Sequence, residues 1–347
     1  MAQSIFLKSM IIGAATAIAL PAAAADSVEA FYKGKTIEFI VGAAAGGGFD
    51  LTTRPLLPYL SKYMPGNPTF VVRNMPGAAG IIMTNYLAGG AVKDGTVIGM
   101  ATSNVPFEPR LKTAGSNTAR YDPLKLGWIG TPVREPQVSW VWGGAGVNSW
   151  EDLRTKKIRF GATSVGGDNS IFPALANKLL GLKSEIVMGY QGVSEIFLAI
   201  ERGELEANNT AYSNLEISKS DWLKDGKAKV VMQFGLERMP VLKDVPSIME
   251  LVKNPDDLEI LRFYLLKFEM HRPIFTGPGV PEERLEALRT AFDKAMADPN
   301  FIADAKRGGI DISPLGGKAI AKLVDEVITT PESVVERLGQ TINAGMK

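Results

Sequence analysis

The sequence predicts an α/β chain of two domains. Three observations carry this. Short β-type apolar runs alternate along the chain with longer segments of helical periodicity. Glycine-rich turns punctuate them. The chain has 347 residues, and a domain usually takes about 100–200. Alternation of this kind argues for mostly parallel sheets with helices on both faces.

The elements follow in order. Strands are expected over 36–41, 69–73, 97–101, 137–141, 158–162, 185–188 and 229–233, each an apolar run bounded by turn residues. A helix follows the first strand, but Pro55 and Pro58 fall inside it, so it is expected to be kinked or to start late. Ser149-Trp150-Glu151-Asp152 fits a capping box. The segment 171–180 is apolar at helical spacing and stops at Gly181, and 194–202 buries Ile196, Phe197 and Ile200 before Gly203. Further on, Pro281, Glu282 and Glu283 open a helix with Leu285, Leu288, Phe292 and Met296 as its stripe. Asp298-Pro299 starts another, closed by Gly308 and Gly309.

The ends and the composition bound the function. One charge, Lys8, precedes an apolar run over 10–20 and then PAAAAD, which reads as an export signal cut near Ala25. The mature chain is therefore expected to start near Asp26 and to be exported and soluble. The run is too short to span a bilayer. No cysteine is present, which excludes disulfides, and a single histidine, His271, leaves few metal sites or nucleophile–base pairs. His271 has no ligand-like neighbour in EMHRPIF and reads as structural. The formal net charge of +1 gives no reason to expect nucleic acid. No metal, cofactor or catalytic residue is expected.

The stretch VGAAAGGGFDLTTR, residues 41–54, asks for a ligand. It fails the dinucleotide fingerprint, because Ala44 or Leu51 stands where a glycine is needed. It fails the P-loop pattern, because Gly48 replaces the lysine. A small anion fits better, since consecutive glycines turn backbone N–H groups into one concavity at a helix N-terminus. KKIRFGATSVGGDNS repeats the strand, glycine turn and helix in mid-chain. A plain strand-to-helix turn would also place glycine at both.

Six short motifs appear in one order: AAAGGGFDLTTR; Asn74-Met75-Pro76-Gly77-Ala78-Ala79-Gly80; Asp94-Gly95-Thr96-Val97-Ile98; Tyr121 to Leu124; Tyr190-Gln191-Gly192 with Gly203-Glu204-Leu205; and Arg238-Met239-Pro240 with Asp244-Val245-Pro246-Ser247. In these the mature sequence resembles the periplasmic solute-binding receptors of tripartite tricarboxylate transporters, the Bug receptors. The resemblance implies a two-domain Venus flytrap of type II-like periplasmic-binding-protein fold. It implies a first domain over 26–128 and 236–347, a second over 129–235, and ligand in the cleft. It also implies that a carboxylate is held by backbone amides and waters of two loops, which fall on Gly46, Gly47, Gly48, Phe49 and Asp50, and on Thr163, Ser164, Gly166 and Asn169.

Other polar residues join this expectation. Ser103 and Asn104 follow a strand and could reach the cleft, and Asn208, with Asn209 and Thr210, could meet the distal part of the ligand. Trp140 and Trp142 read as core, Arg54 and Arg238 as ion pairs or caps. The sequence departs from the family at Ala43-Ala44-Ala45, where a proline is common, and at Ile171-Phe172, where a histidine is often found. The expected function is a monomeric receptor that delivers a small organic carboxylate to a two-subunit membrane permease, without chemistry of its own. The alternatives are an exported lyase or hydrolase using Asp50, Asp168 or Glu204, and a sensor subunit for a signalling partner.

Overall fold

A computed structural model of the chain describes residues 27–46, 48–111, 118–164 and 166–347. The expected export signal and Gly47 lie outside the described residues.

The first strands are β1 (Thr36–Val41), β2 (Thr69–Asn74), β3 (Val97–Met100) and β4 (Gly127–Thr131). Then come β5 (Gln137–Trp142), β6 (Ile158–Gly161), β7 (Ser184–Val187), β8 (Ala207–Ala211) and β9 (Ala228–Phe234), and last β10 (Ile274–Thr276) and β11 (Leu315–Gly316). They form two sheets, ordered β11-β4-β10-β3-β1-β2 and β7-β6-β8-β5-β9. All seven expected strands are present.

The expectation of mostly parallel sheets needs correction. β1 pairs with β2 and β3, and β6 with β7 and β8, in parallel. By contrast β10 is antiparallel to β3 and β4, β11 to β4, and β5 to β8 and β9. The reason is connectivity. β5 and β10 are the strands by which the chain enters a sheet after leaving the other one, and a strand entering from the facing edge runs against its neighbours.

Four strands escaped the sequence reading, β10 and β11 because they are only three and two residues long, β4 and β8 because they lack β-branched runs. β4 reads GWIGT. Its glycines make room for neighbours: a Cβ on Gly130 would overlap the Phe292 ring, and one on Gly127 would overlap the Thr276 hydroxyl. β8 reads ANNTA, and its asparagines and threonine are all buried.

Burial follows the pattern of the apolar runs. In β1, Ile37, Phe39, Ile40 and Val41 are fully buried. The first sheet packs Trp128 on Phe275 at 5.0 Å, while Trp140, Phe197 and Trp222 form a ring cluster beneath the second. Trp140 and Trp142 are thus core residues, as their spacing suggested. Phe172 touches Phe234, Tyr264 and Phe268, which ties the helix Asp168–Leu180 to the helix Pro255–Glu269. The C-terminal helix, Glu332–Gly345, also lies on the second sheet's side. Its Gly345 sits against Ala174, where a Cβ would overlap the carbonyl, and Asn177 donates to the Gly345 carbonyl at 3.2 Å.

The helix after β1 runs unbroken over Gly48–Tyr63 with both prolines inside, so it does not start late. The carbonyls that Pro55 and Pro58 leave without an i+4 donor belong to Leu51 and Arg54, both on the exposed face. Water can satisfy them there. Among the described residues no helix is long and apolar enough to cross a membrane.

Candidate functional site

Strand direction brings the functional loops together. In the first sheet, the C-terminal ends of β1, β3 and β4 and the start of β10 share one edge, fixed by the pairs Val41 with Met100 and Met100 with Ile274. In the second, the ends of β6, β8 and β9 and the start of β5 share one edge, fixed by Gln137 with Ala211 and with Phe234. The segment 132–136 joins β4 to β5 directly, so these two edges face one another. The two glycine loops leave from them, one per sheet.

The first loop is organised by Asp50. Its carboxylate accepts the Gly46 N–H at 3.0 Å, the Arg54 guanidinium at 2.8 Å and the Asn74 amide at 3.1 Å. Asn74 also donates to the Ala43 carbonyl at 3.0 Å. The Arg54 bond, then the Gly46 and Asn74 bonds, bring the Asp50 carboxyl down to about 2. Asp50 is only 3% exposed. It is therefore a loop brace with its oxygens occupied, and the Gly46 N–H is engaged as well. Gly48 and Phe49 remain at the open end of the helix.

The second loop is closed by its own side chains. Asn169 accepts from the Thr163 N–H and hydroxyl, and the Ser170 hydroxyl donates to the Ser164 and Gly167 carbonyls. Asp168 is held by the Tyr264 hydroxyl and by Lys267, both at 2.9 Å. Ser164 and Gly166 stay exposed.

Other expected residues lie deeper. Ser103 is buried behind β3, and Asn104 shapes its loop, with its carbonyl accepting from Phe107 and Glu108. Asn208 is fully buried and donates to the Gly161 carbonyl, Asn209 accepts from Ser139, and Thr210 accepts from Asn214. These side chains brace the second sheet. Arg54 and Arg238 pair with Asp50 and Glu250, in agreement with the ion-pair reading.

The residues the sequence reading missed sit on the connections between the sheets. His271 does have a partner: its Nε2 lies 2.8 Å from Glu135 on the first connection. Ser213, in the helix Tyr212–Ser218, donates to the other oxygen of Glu135. Burial alone would raise the Glu135 carboxyl, but the bonds from His271 and Ser213 and the charges of His271 and Arg272 outweigh it and hold it at about 2. Arg272 stacks over Phe49 at 5.4 Å, donates to Thr52 and reaches the Gly48 carbonyl at 3.5 Å. Its Nε is buried with no acceptor. Nothing local marks this group, because Glu135 and Arg272 are far apart in sequence.

Chemically, the cluster is poorly arranged for nucleophilic attack. The Ser213 hydroxyl donates to the Glu135 carboxylate and not to the imidazole, and a carboxylate held at about 2 is too weak a base to activate it well. Glu135 is held ionised, which suits an acceptor and not a general acid. Among the described residues no group of three His, Asp or Glu side chains is placed to hold a metal. Asp50, Asp168 and Glu204, the carboxylates considered for catalysis, do not converge in this cluster.

A cavity of about 590 Å³ opens beside Arg272 between the connections, the helix Tyr212–Ser218 and the segment 309–313. Its size suits a small organic ligand. None of the described residues expected to bind ligand lines it: Gly48 and Phe49 only contact Arg272, which does, and Gly46, Asp50, Ser103, Asn104, Thr163, Ser164, Gly166, Asn169 and Asn208 lie outside the lining.

This arrangement has close counterparts among solved structures. The chain matches a TctC solute-binding protein from Polaromonas with a TM-score of 0.70, at 18% identity over 88% of this chain and 99% of that one. The chain has the solute-binding-protein fold. The periplasmic binding protein BugD matches with a TM-score of 0.59, 21% identity and coverage of 89% and 98%. Rpa4515 of R. palustris, solved with adipate, matches with a TM-score of 0.58, 18% identity and coverage of 89% and 97%. In sequence, the UPF0065 protein in the gbd 5′ region of Cupriavidus necator is 23% identical over 342 residues, 96% of either chain. No family model matches the sequence. The two-sheet solute-binding fold expected from the motifs is thus the fold observed.

Proposed function

We propose that this solute-binding fold serves a periplasmic receptor for a small organic carboxylate, which passes its ligand to a two-subunit membrane permease. The observation that carries the reading is Arg272. A half-buried guanidinium with an unsatisfied Nε lies against the N-terminal turn of the helix Gly48–Tyr63, in the wall of a ligand-sized cavity beside the connections that join the sheets. Helix amides, dipole and cation then favour the same negative group. That TctC and BugD proteins share the fold, and that one neighbour was solved with adipate, supports this reading.

The domains in this proposal are 26–128 with 236–347, and 129–235. Closure would bring Gly46 to Asp50 and Thr163 to Asn169 around the ligand, so that ligand contacts favour the closed state. In this role Asp50 and Asn169 shape the loops, while Gly48, Phe49, Ser164 and Gly166 are the exposed or open-ended positions. Thermal melting of the protein from Asp26 onward, against organic acids and their amides, tests the reading. A binding acid raises the melting temperature by mass action and is recovered unchanged. Stabilisation by the amides as strongly as by the acids would refute carboxylate recognition, and consumption of the acid would refute the receptor.

A further inference from the structure

The cavity beside Arg272 is polarised from its inner end to its mouth. At the inner end, Arg272 is a cation with acceptors still to find. Its nearest carboxylate, Glu135, is 3.9 Å away, beyond hydrogen-bond reach, and already holds His271 and Ser213. Its Nε has no acceptor but is closed to solvent, so a ligand would meet the terminal nitrogen Nη2, whose nearest carboxylate oxygen is that same Glu135 oxygen. A half-buried charge left partly unpaired is unfavourable, and an arriving carboxylate would complete it.

The walls beyond Arg272 are largely apolar, with Val133, Tyr212, Leu236, Met239, Ile310 and Ile312 among them. The other two arginines of the lining are engaged. Arg238 makes two bonds to Glu250, and Arg134 lies 3.6 Å from Glu269 and bonds to Ser313.

The mouth is acidic. Glu216, Glu237 and Asp311 line it, and none has an ion-pair partner among the described residues. Burial and then the nearby charge of Asp311 push the Glu216 carboxyl upward. Glu216 lies three residues beyond Ser213 on one helix, so the acidic end begins about one turn, or roughly 5 Å, from the Glu135–Arg272 end.

We propose that the cavity takes a monocarboxylate with an apolar body, anchored by Arg272, and that its acidic mouth favours a cationic or hydrogen-bond-donating group over a second carboxylate at the ligand's far end. This rests on the receptor reading and narrows it. A dicarboxylate anchored at Arg272 would carry its second charge toward three carboxylates, whereas an ammonium would meet them as partners.

Three six-carbon acids test this: hexanoate, 6-aminohexanoate and adipate share one carboxylate and differ at the other end. Calorimetric titration of the wild-type protein is expected to rank 6-aminohexanoate first and adipate last, with about tenfold between them. Arg272→Gln should weaken all three at least about tenfold, while Arg272→Lys restores part of the loss. The double variant Glu216→Gln, Asp311→Asn should bring 6-aminohexanoate and adipate within about threefold of one another. Melting curves show whether each variant is folded, and the mouth residues are exposed enough for that pair to fold.

If adipate binds tightest, or if the mouth variants leave the ranking unchanged, the proposal is overturned and the receptor reading stands. If Arg272→Gln folds and binds all three as the wild type does, Arg272 is not the anchor. If neither these nor any other organic acid binds the wild-type protein, the receptor reading fails and this proposal with it.

Discussion

Replacing Asp50 by alanine should loosen the first loop by an amount that can be worked from its bonds. The carboxylate holds the Gly46 N–H, the Asn74 amide and the Arg54 guanidinium. A hydrogen bond to a charged group contributes about 1.5–3 kcal/mol. The Gly46 bond is of that kind, and its loss leaves a loop N–H to find water. The Asn74 amide keeps the Ala43 carbonyl and loses less. The Arg54 pair is half in solvent and adds little. The sum is about 2–3 kcal/mol at neutral pH.

Urea unfolding at pH 7 measures this directly. The same titration toward acid supplies a second check. The Asp50 carboxyl is lowered to about 2 in the folded protein, against an ordinary value of 3.8. Its contribution is therefore present above about pH 4 and fades as the pH falls toward 2. The difference between wild type and Asp50→Ala should shrink across that window. A loss below about 0.5 kcal/mol at pH 7, the scale of an ordinary surface substitution, or a difference independent of pH, would refute the brace.

Other perturbations follow from the same geometry. Glu135→Ala leaves His271 and Arg272 without their carboxylate, and breaking a buried pair of this kind should lower the unfolding free energy by about 3 kcal/mol in urea titrations. Glu135 is held at about 2 when folded against 4.5 ordinarily, so its net contribution should fade in acid between those values. Gly345→Val forces a branched side chain against the Ala174 carbonyl and should cost about 1–3 kcal/mol by thermal melting, if the C-terminal helix packs on the helix Asp168–Leu180. Trp140→Ala should cost about 3–5 kcal/mol, and Trp140→Phe much less, because the buried indole N–H has no acceptor to lose; near-UV circular dichroism and melting compare the two.

Much of the fold was legible in the sequence because it rests on local pattern. TIEFIV is apolar enough to be a strand in any context, and β1 is one. The glycine turns, the Asp298-Pro299 start and the Gly181 stop fix backbone conformation through one or two residues, and each stands where expected. The two strand–glycine–helix units were also visible, and one falls in each sheet. Only the tertiary structure could decide the rest. GWIGT and ANNTA become strands because the neighbouring strands and side chains demand small or hydrogen-bonding residues there, which no propensity records. Asp50 reads as a ligand group or a catalytic carboxylate until Gly46, Arg54 and Asn74 are seen to occupy it. Glu135, Arg272 and the mouth acids become one cavity only where the connections cross, since a site built on long-range contacts leaves no spacing in the sequence to find.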